Sequence, residues 1–184
     1  MQTLESSQLT NFIKKLPQEG MSHKRVAANT IYLDEPQTPM SSTSYSMRII
    51  GGKWRGRKVS FAQHDDIRPT PNRIRETLFN WLQRYVHDAS CLELYAGSGI
   101  LSLEALSRGA KYVTLVEQSR QVHQHLQSEL ANITDGSQVY RCINQAAISW
   151  ASHQSDGPFD IIFLDPPFAG SELETVLPLI ATED

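Results

Sequence analysis

No apolar run in the 184-residue chain approaches the about 18 residues that a membrane-spanning helix requires, and the N-terminus lacks the about 7 to 15 apolar residues of a secretory signal. A cytoplasmic protein is expected. Cysteine is nearly absent: Cys91 and Cys142 both fall in apolar, strand-like segments, where a free thiol behaves as a small apolar side chain, so neither a disulfide nor a ligand is expected. The six histidines do not form a metal motif, since His123 and His125 are two residues apart on a helical pattern and no cysteine stands near them. No metal is expected. Nor does the chain carry a large charge of one sign, its formal net charge being -3. With 40% hydrophobic and 20% charged residues, it has the material for a packed core and does not read as disordered.

What is present is a charge asymmetry hidden by that total. Between Met47 and Glu76 stand eight cations (Arg48, Lys53, Arg55, Arg57, Lys58, Arg68, Arg73 and Arg75) against three acids, Asp65, Asp66 and Glu76. The rest of the chain is acidic. A locally cationic segment on an acidic protein is suited to phosphates, although a solvated charged face has the same composition. Trp54 lies among these cations, where it could stack on an unpaired base or pack against the protein.

The punctuation divides the chain into three parts. Residues 1–46 read as a poorly ordered extension, ending in the linker-like PQTPMSSTSYS. Residues 47–66 read as a basic β-hairpin arm, with MRIIGGKWRGRKVSF giving two short strands around Gly-Gly and Arg-Gly. Residues 67–184 begin with a helix in RPTPNRIRETLFNWLQRYV, for which Thr70 is placed as the cap and Pro71 as the first residue. Ile74, Leu78, Trp81, Leu82 and Tyr85 form its expected buried face, with Arg73, Glu76 and Arg84 outward. From Cys91 onward CLELYA, ILSLEALSRG, YVTLVE, SRQVHQHLQSEL, VYRCIN, QAAISWAS and FDIIFLD alternate strand and helix, which predicts a parallel sheet with helices on both faces. Gly109 is expected to end the first of these helices, and Ser171 with Glu174 to open the last, which Pro178 should kink or shorten.

The chemistry gathers at strand ends. In ELYAGSG a strand runs into a glycine turn that opens a helix, so Glu93, Gly97, Ser98 and Gly99 are candidate ligand contacts. A dinucleotide turn would place a further glycine three residues after Gly99, but Ser102 stands there, and the acidic Glu93 suits a cation better than a diphosphate. S-adenosylmethionine carries a sulfonium and an ammonium. Glu117 ends the next strand, 18 residues after Gly99, where a carboxylate can accept both hydroxyls of a ribose. Gln145 and Ala146, after the third strand, are placed for an adenine ring. At the end of the fourth, FLDPPF fixes Asp165, Pro166, Pro167 and Phe168 beside the glycine turn. A carboxylate and a proline carbonyl there could hold an exocyclic amine with its lone pair aimed at a methyl group, while Phe168 stacks on the base.

ELYAGSG, LVE and FLDPPF together resemble the amino-methylating class I S-adenosylmethionine-dependent methyltransferases. MRIIGGKWRGRKV, RPTPNRIRETLFNWL, LELYAGSGILSLEALSRGA and DPPF closely resemble the bacterial RsmD family, which methylates the exocyclic amine of a guanine in small-subunit (16S) ribosomal RNA. The resemblance spans Met47 to about Ile180. It implies a Rossmann-like fold and a guanine-N2 methyltransferase with Asp165, Pro166, Pro167 and Phe168 as its reactive turn. It also implies S-adenosylmethionine contacts at Glu93, Gly97, Ser98, Gly99, Glu117, Gln145 and Ala146, with Arg68 to Thr70 bordering the methionine end. Arg48, Lys53, Trp54, Arg55, Arg57 and Lys58 are the expected RNA contacts, on ribosomal RNA or an assembling small subunit. DPPF alone also fits adenine-N6 and protein-glutamine methyltransferases, and a non-catalytic RNA-binding remnant would keep the arm; the arm and the RPT helix together favour the guanine enzyme.

A class I sheet has seven strands in the order 3-2-1-4-5-7-6, whereas this pattern ends after the helix that follows the fourth. The expectation is a sheet truncated there, with an open, association-prone edge along IIFLD and a doubtful activity.

Overall fold

A computed structural model describes residues 27–28, 46–61, 70–153, 156–166 and 172–180. The strands are β1 (Ala27–Ala28), β2 (Ser46–Arg48), β3 (Lys58–Ser60), β4 (Ser90–Leu94), β5 (Tyr112–Glu117), β6 (Tyr140–Asn144) and β7 (Ile161–Leu164). The helices are α1 (Asn72–Trp81), continued by a 3-10 turn over Leu82–Arg84, then α2 (Ile100–Ser107), α3 (Arg120–Ile133), α4 (Ala147–His153) and α5 (Glu172–Ile180). The main sheet is parallel throughout, in the order β1-β7-β4-β5-β6. β2 and β3 pair antiparallel as the expected basic hairpin, with Met47 opposite Val59.

Strand alternation sends side chains to two cores. Cys91, Val113, Leu115, Ile161 and Phe163 face one cluster with Phe79 of α1, Leu103 of α2 and Leu130 of α3, while Leu92, Leu94, Val116, Ile162 and Leu164 face another with Trp150 of α4 and Val176 of α5. Helices therefore cover both faces of the sheet. Cys91 is buried and both cysteines are free, with burial pushing each thiol up to about 12. α2 is buried on every side, as a helix that is apolar almost all round must be, because the hairpin closes over it: Ile49 and Val59 join the first core. Its end follows the expected pattern. Gly109 sits at φ 98°, its N–H donates to Leu106 O, and Ala110 N donates to Ala105 O.

Three expectations differ from the structure. The buried face of α1 and the turn after it is Arg75, Leu78, Phe79, Leu82 and Val86, whereas Trp81 is 53% exposed and Tyr85 39%. The rotation follows from burying an arginine. Thr70 does not cap α1; Pro71 occupies the cap position without a side-chain bond, and the Thr70 hydroxyl instead donates to Asp165 Oδ2 at 3.2 Å. β1 pairs with β7, Ala27 opposite Ile162 and Ala28 opposite Phe163, so the edge expected to be open carries a short strand from the N-terminal extension. α5 holds Pro178 within its last turn, and Ser171, the expected start of its capping box, lies outside the described residues.

Candidate active site

The turn after β4 uses three left-handed residues within five positions: Tyr95 at φ 63°, Gly97 at 51° and Gly99 at 65°. Such conformations cost a tyrosine about 1–2 kcal/mol and a glycine almost nothing. The two glycines serve different ends. A Cβ on Gly99 would lie 2.4 Å from Leu126 Cδ1 and 3.2 Å from Leu115 Cδ2, so this position lets α2 pack against α3 and β5. A Cβ on Gly97 would meet nothing closer than Tyr95 O at 3.9 Å, which leaves this stretch of backbone open to a ligand. Ser98, between them, is buried.

Three acids surround the turn. Glu117, buried at the end of β5, accepts from Gly97 N at 2.8 Å with Oε2 and from Ser119 N at 2.7 Å with Oε1. Main-chain donors thus fix the carboxylate that the sequence assigns to a ribose. Glu93 points beneath the turn from β4, buried, its Oε2 accepting from Ser102 N at 3.0 Å. Burial pushes its carboxyl up to about 8 against the pull of the Ser102 hydrogen bonds, and the charge of Asp165 adds to the rise. Asp165 follows β7, next in the chain after Leu164, which pairs with Leu94, so it stands beside the start of the glycine turn. It is half-buried and held by Thr70, as is Pro166 half-buried; Pro167 and Phe168 lie outside the described residues.

At the third strand end, Gln145 N donates to Glu117 O and Gln145 Nε2 to Ser149 Oγ at 3.0 Å, so its amide turns along α4. Ala146 is exposed at the head of that helix. Asn144 donates through Nδ2 to Glu117 O and Gln118 O, both at 2.9 Å, and ties the ends of β5 and β6 together.

The six arm residues divide by environment. Arg48, Lys53, Arg55 and Lys58 are exposed, with Arg48 Nη1 donating to Gly56 O at 2.7 Å. Trp54 is half-buried against the core, and the Lys53 ammonium lies 4.3 Å from its ring centre, so its indole is engaged within the protein. Arg57 is half-buried and donates to Ile133 O at 3.1 Å and Asn132 O at 2.8 Å, satisfying carbonyls at the C-terminus of α3. Among the described residues no cluster of His, Cys, Asp and Glu could hold a metal ion.

Residues 47–184 match a family model described as conserved hypothetical protein 95. The chain is 46% identical over 142 residues to ribosomal RNA small subunit methyltransferase D of Escherichia coli (strain K12), covering 77% of this chain and 70% of that protein. The chain belongs to the ribosomal RNA small subunit methyltransferase D family. The member from Haemophilus influenzae is 41% identical over 145 residues, covering 78% of this chain and 74% of that protein. A solved structure of a putative methyltransferase from Escherichia coli superposes with a TM-score of 0.67 at 44% identity, over 74% of this chain and 72% of the other.

For a member of the methyltransferase D family, the sequence reading missed two residues that organise the site. Arg75 and Glu104 are fully buried and paired, Arg75 Nη1 to Glu104 Oε1 at 2.6 Å. Their signal was present as a glutamate inside the mostly apolar ILSLEALS and an arginine on the face that buries Leu78 and Leu82. Arg75 had been counted with the phosphate-facing cations. It faces the core.

Proposed function

We propose that the protein transfers a methyl group from S-adenosylmethionine to the exocyclic N2 amine of a guanine in small-subunit ribosomal RNA, in the cytoplasm. The observation that carries the reading is Asp165: a carboxylate at the end of β7, beside the turn of β4 and oriented by the Thr70 hydroxyl. Its relatives carry the name ribosomal RNA small subunit methyltransferase D.

The residues suit the cofactor. Gly97 leaves open backbone at the turn, Glu117 is oriented at the neighbouring strand end, and Glu93 is a buried acid beneath the turn, whose ionised form a cationic ligand would favour. Gly97, Ser98 and Glu117, with Gln145 and Ala146 at the next strand end, would hold the nucleoside, and Thr70 would border its methionine end. When bound, S-adenosylmethionine supplies an electrophilic methyl group. The guanine amine is a poor nucleophile because its lone pair is delocalised into the ring. Asp165 and the carbonyl of Pro166 would accept its two N–H bonds and favour a pyramidal nitrogen. Arg48, Lys53, Arg55 and Lys58 meet the phosphates around the target.

Radiolabelled methyl transfer to small-subunit RNA, followed by nucleoside digestion, tests the reading. N2-methylguanosine is the expected product, and Asp165→Asn should lower the rate at least about a hundredfold, the scale of one preorganised polar contact, with calorimetric affinity for S-adenosylmethionine little changed. Label in N6-methyladenosine, or unchanged turnover in the variant, would overturn it.

A further inference from the structure

One guanidinium connects the hairpin to the turn that bears Asp165. Arg75 Nη2 donates to Arg48 O, at the end of β2, at 3.0 Å, and Arg75 Nε donates to Thr70 O at 3.1 Å. Thr70 in turn donates its hydroxyl to Asp165. The remaining contacts hold the guanidinium itself: Nη1 to Glu104 Oε1 at 2.6 Å, and Nη2 also to Asn72 Oδ1. Glu104 Oε1 accepts Ile50 N as well, at 2.7 Å, and Arg108 Nη2 lies 3.3 Å from Oε2. Hairpin, α1 and α2 therefore meet on one buried ion pair. An arginine is suited to this because its rigid fork directs several donors at once, whereas a lysine ammonium could neutralise Glu104 without reaching both carbonyls in that geometry.

We propose that Arg75 is a positioning residue that ties the placement of the RNA-facing hairpin to the placement of Asp165, by holding the Arg48 and Thr70 carbonyls with one side chain. RNA seated on Arg48 and Lys58 and the carboxylate that meets its guanine are then set in register through Arg75, which touches neither RNA nor cofactor. A buried charge pair adds little net stability compared with an apolar substitute, so its value here lies in geometry. The kinetic half of this inference rests on the methyl-transfer reading; the linkage itself does not.

The test is Arg75→Lys, alone and combined with Thr70→Val, in the full chain. Arg75→Lys should lower the single-turnover methylation rate at least about tenfold, as expected when a reacting group is displaced by a fraction of an ångström, with S-adenosylmethionine affinity changing less than about threefold. In the Thr70→Val background the same replacement should cost less than about threefold, because the link to Asp165 is already cut. Independent multiplicative losses would overturn the inference. Amide hydrogen exchange provides a readout that needs no activity: Arg75→Lys should loosen the segments around Ile50, Thr70 and Asp165 while α3 and β6 keep their protection. Unaltered exchange around Asp165 would equally overturn it. If Arg75→Lys does not fold, Glu104→Gln, which keeps the acceptor and removes the charge, should give the same pattern at smaller amplitude, and exchange confined to α2 would sink the claim. Wild-type protein that methylates no small-subunit RNA would count against the proposed function, with exchange still deciding the linkage.

Discussion

Burial beneath the glycine turn pushes the Glu93 carboxyl up to about 8 from its ordinary 4.5. The sign of the resulting pH dependence follows from proton counts. Between these values the unfolded chain releases the proton while the folded protein keeps it, so this group's contribution favours folding most below about 4.5 and weakens steadily as pH rises to about 8. Thermal melts of the wild type from pH 5.5 to 8.5 should therefore fall with a slope that Glu93→Gln reduces. Parallel profiles for the two proteins would show that Glu93 does not hold its proton. At the same scale, sequence reading placed Glu93, Gly97, Gly99, Glu117 and Asp165 around one turn because each marks a strand end in an alternating pattern. It could not foresee the Thr70 bond, since the competing acceptor is Asp165, 95 residues further along the chain.

Among the elements, the hairpin separates two roles that composition merges. Lys53, Arg55 and Lys58 are exposed, whereas Arg57 caps the carbonyls of α3. Replacing the first three with Ala should flatten the salt dependence of RNA binding by up to about three phosphate contacts, at a slope of roughly 0.7–0.9 per contact, and leave the melting temperature nearly unchanged. Arg57→Ala should instead lower the melting temperature, because the helix-end carbonyls of Asn132 and Ile133, the latter partly buried, lose their donor. A salt slope identical to wild type in the triple variant would mark these cations as a solvated face. The face of α1 is hard to read for a related reason: the charge of an arginine argues for solvent even where its spacing argues for the core, and the acid that lets Arg75 turn inward sits 29 residues later in α2.

For the molecule as a whole, the four core strands and their parallel order were legible because apolar strands alternating with helices admit few arrangements. β1 was not, since two alanines carry no pattern and their strand exists only against β7. That strand changes what is expected of the sheet edge. Replacing Ala27 and Ala28 with Pro removes both of its N–H donors, and the uncovered main chain of Ile162 and Phe163 should then promote self-association, visible by sedimentation velocity as species above the monomer. Sedimentation indistinguishable from wild type would show that β1 does not guard the edge.

The hairpin rests on the end of α2 through atoms that leave no clearance. Lys53 N donates to Ser107 O at 2.7 Å, and a Cβ on Gly52, at φ 74°, would fall 1.8 Å from that same oxygen. Gly52 is thus a spacer of zero thickness: it sets the height at which the cationic loop rides above α2. The stand-off between the exposed cations of that loop and the α2 end beneath them is thereby a fixed length built into the protein. On the methyl-transfer reading proposed above, RNA whose backbone and target base are separated by a different span would have to bend to fit, and a missing side chain would then act as a gauge of RNA shape.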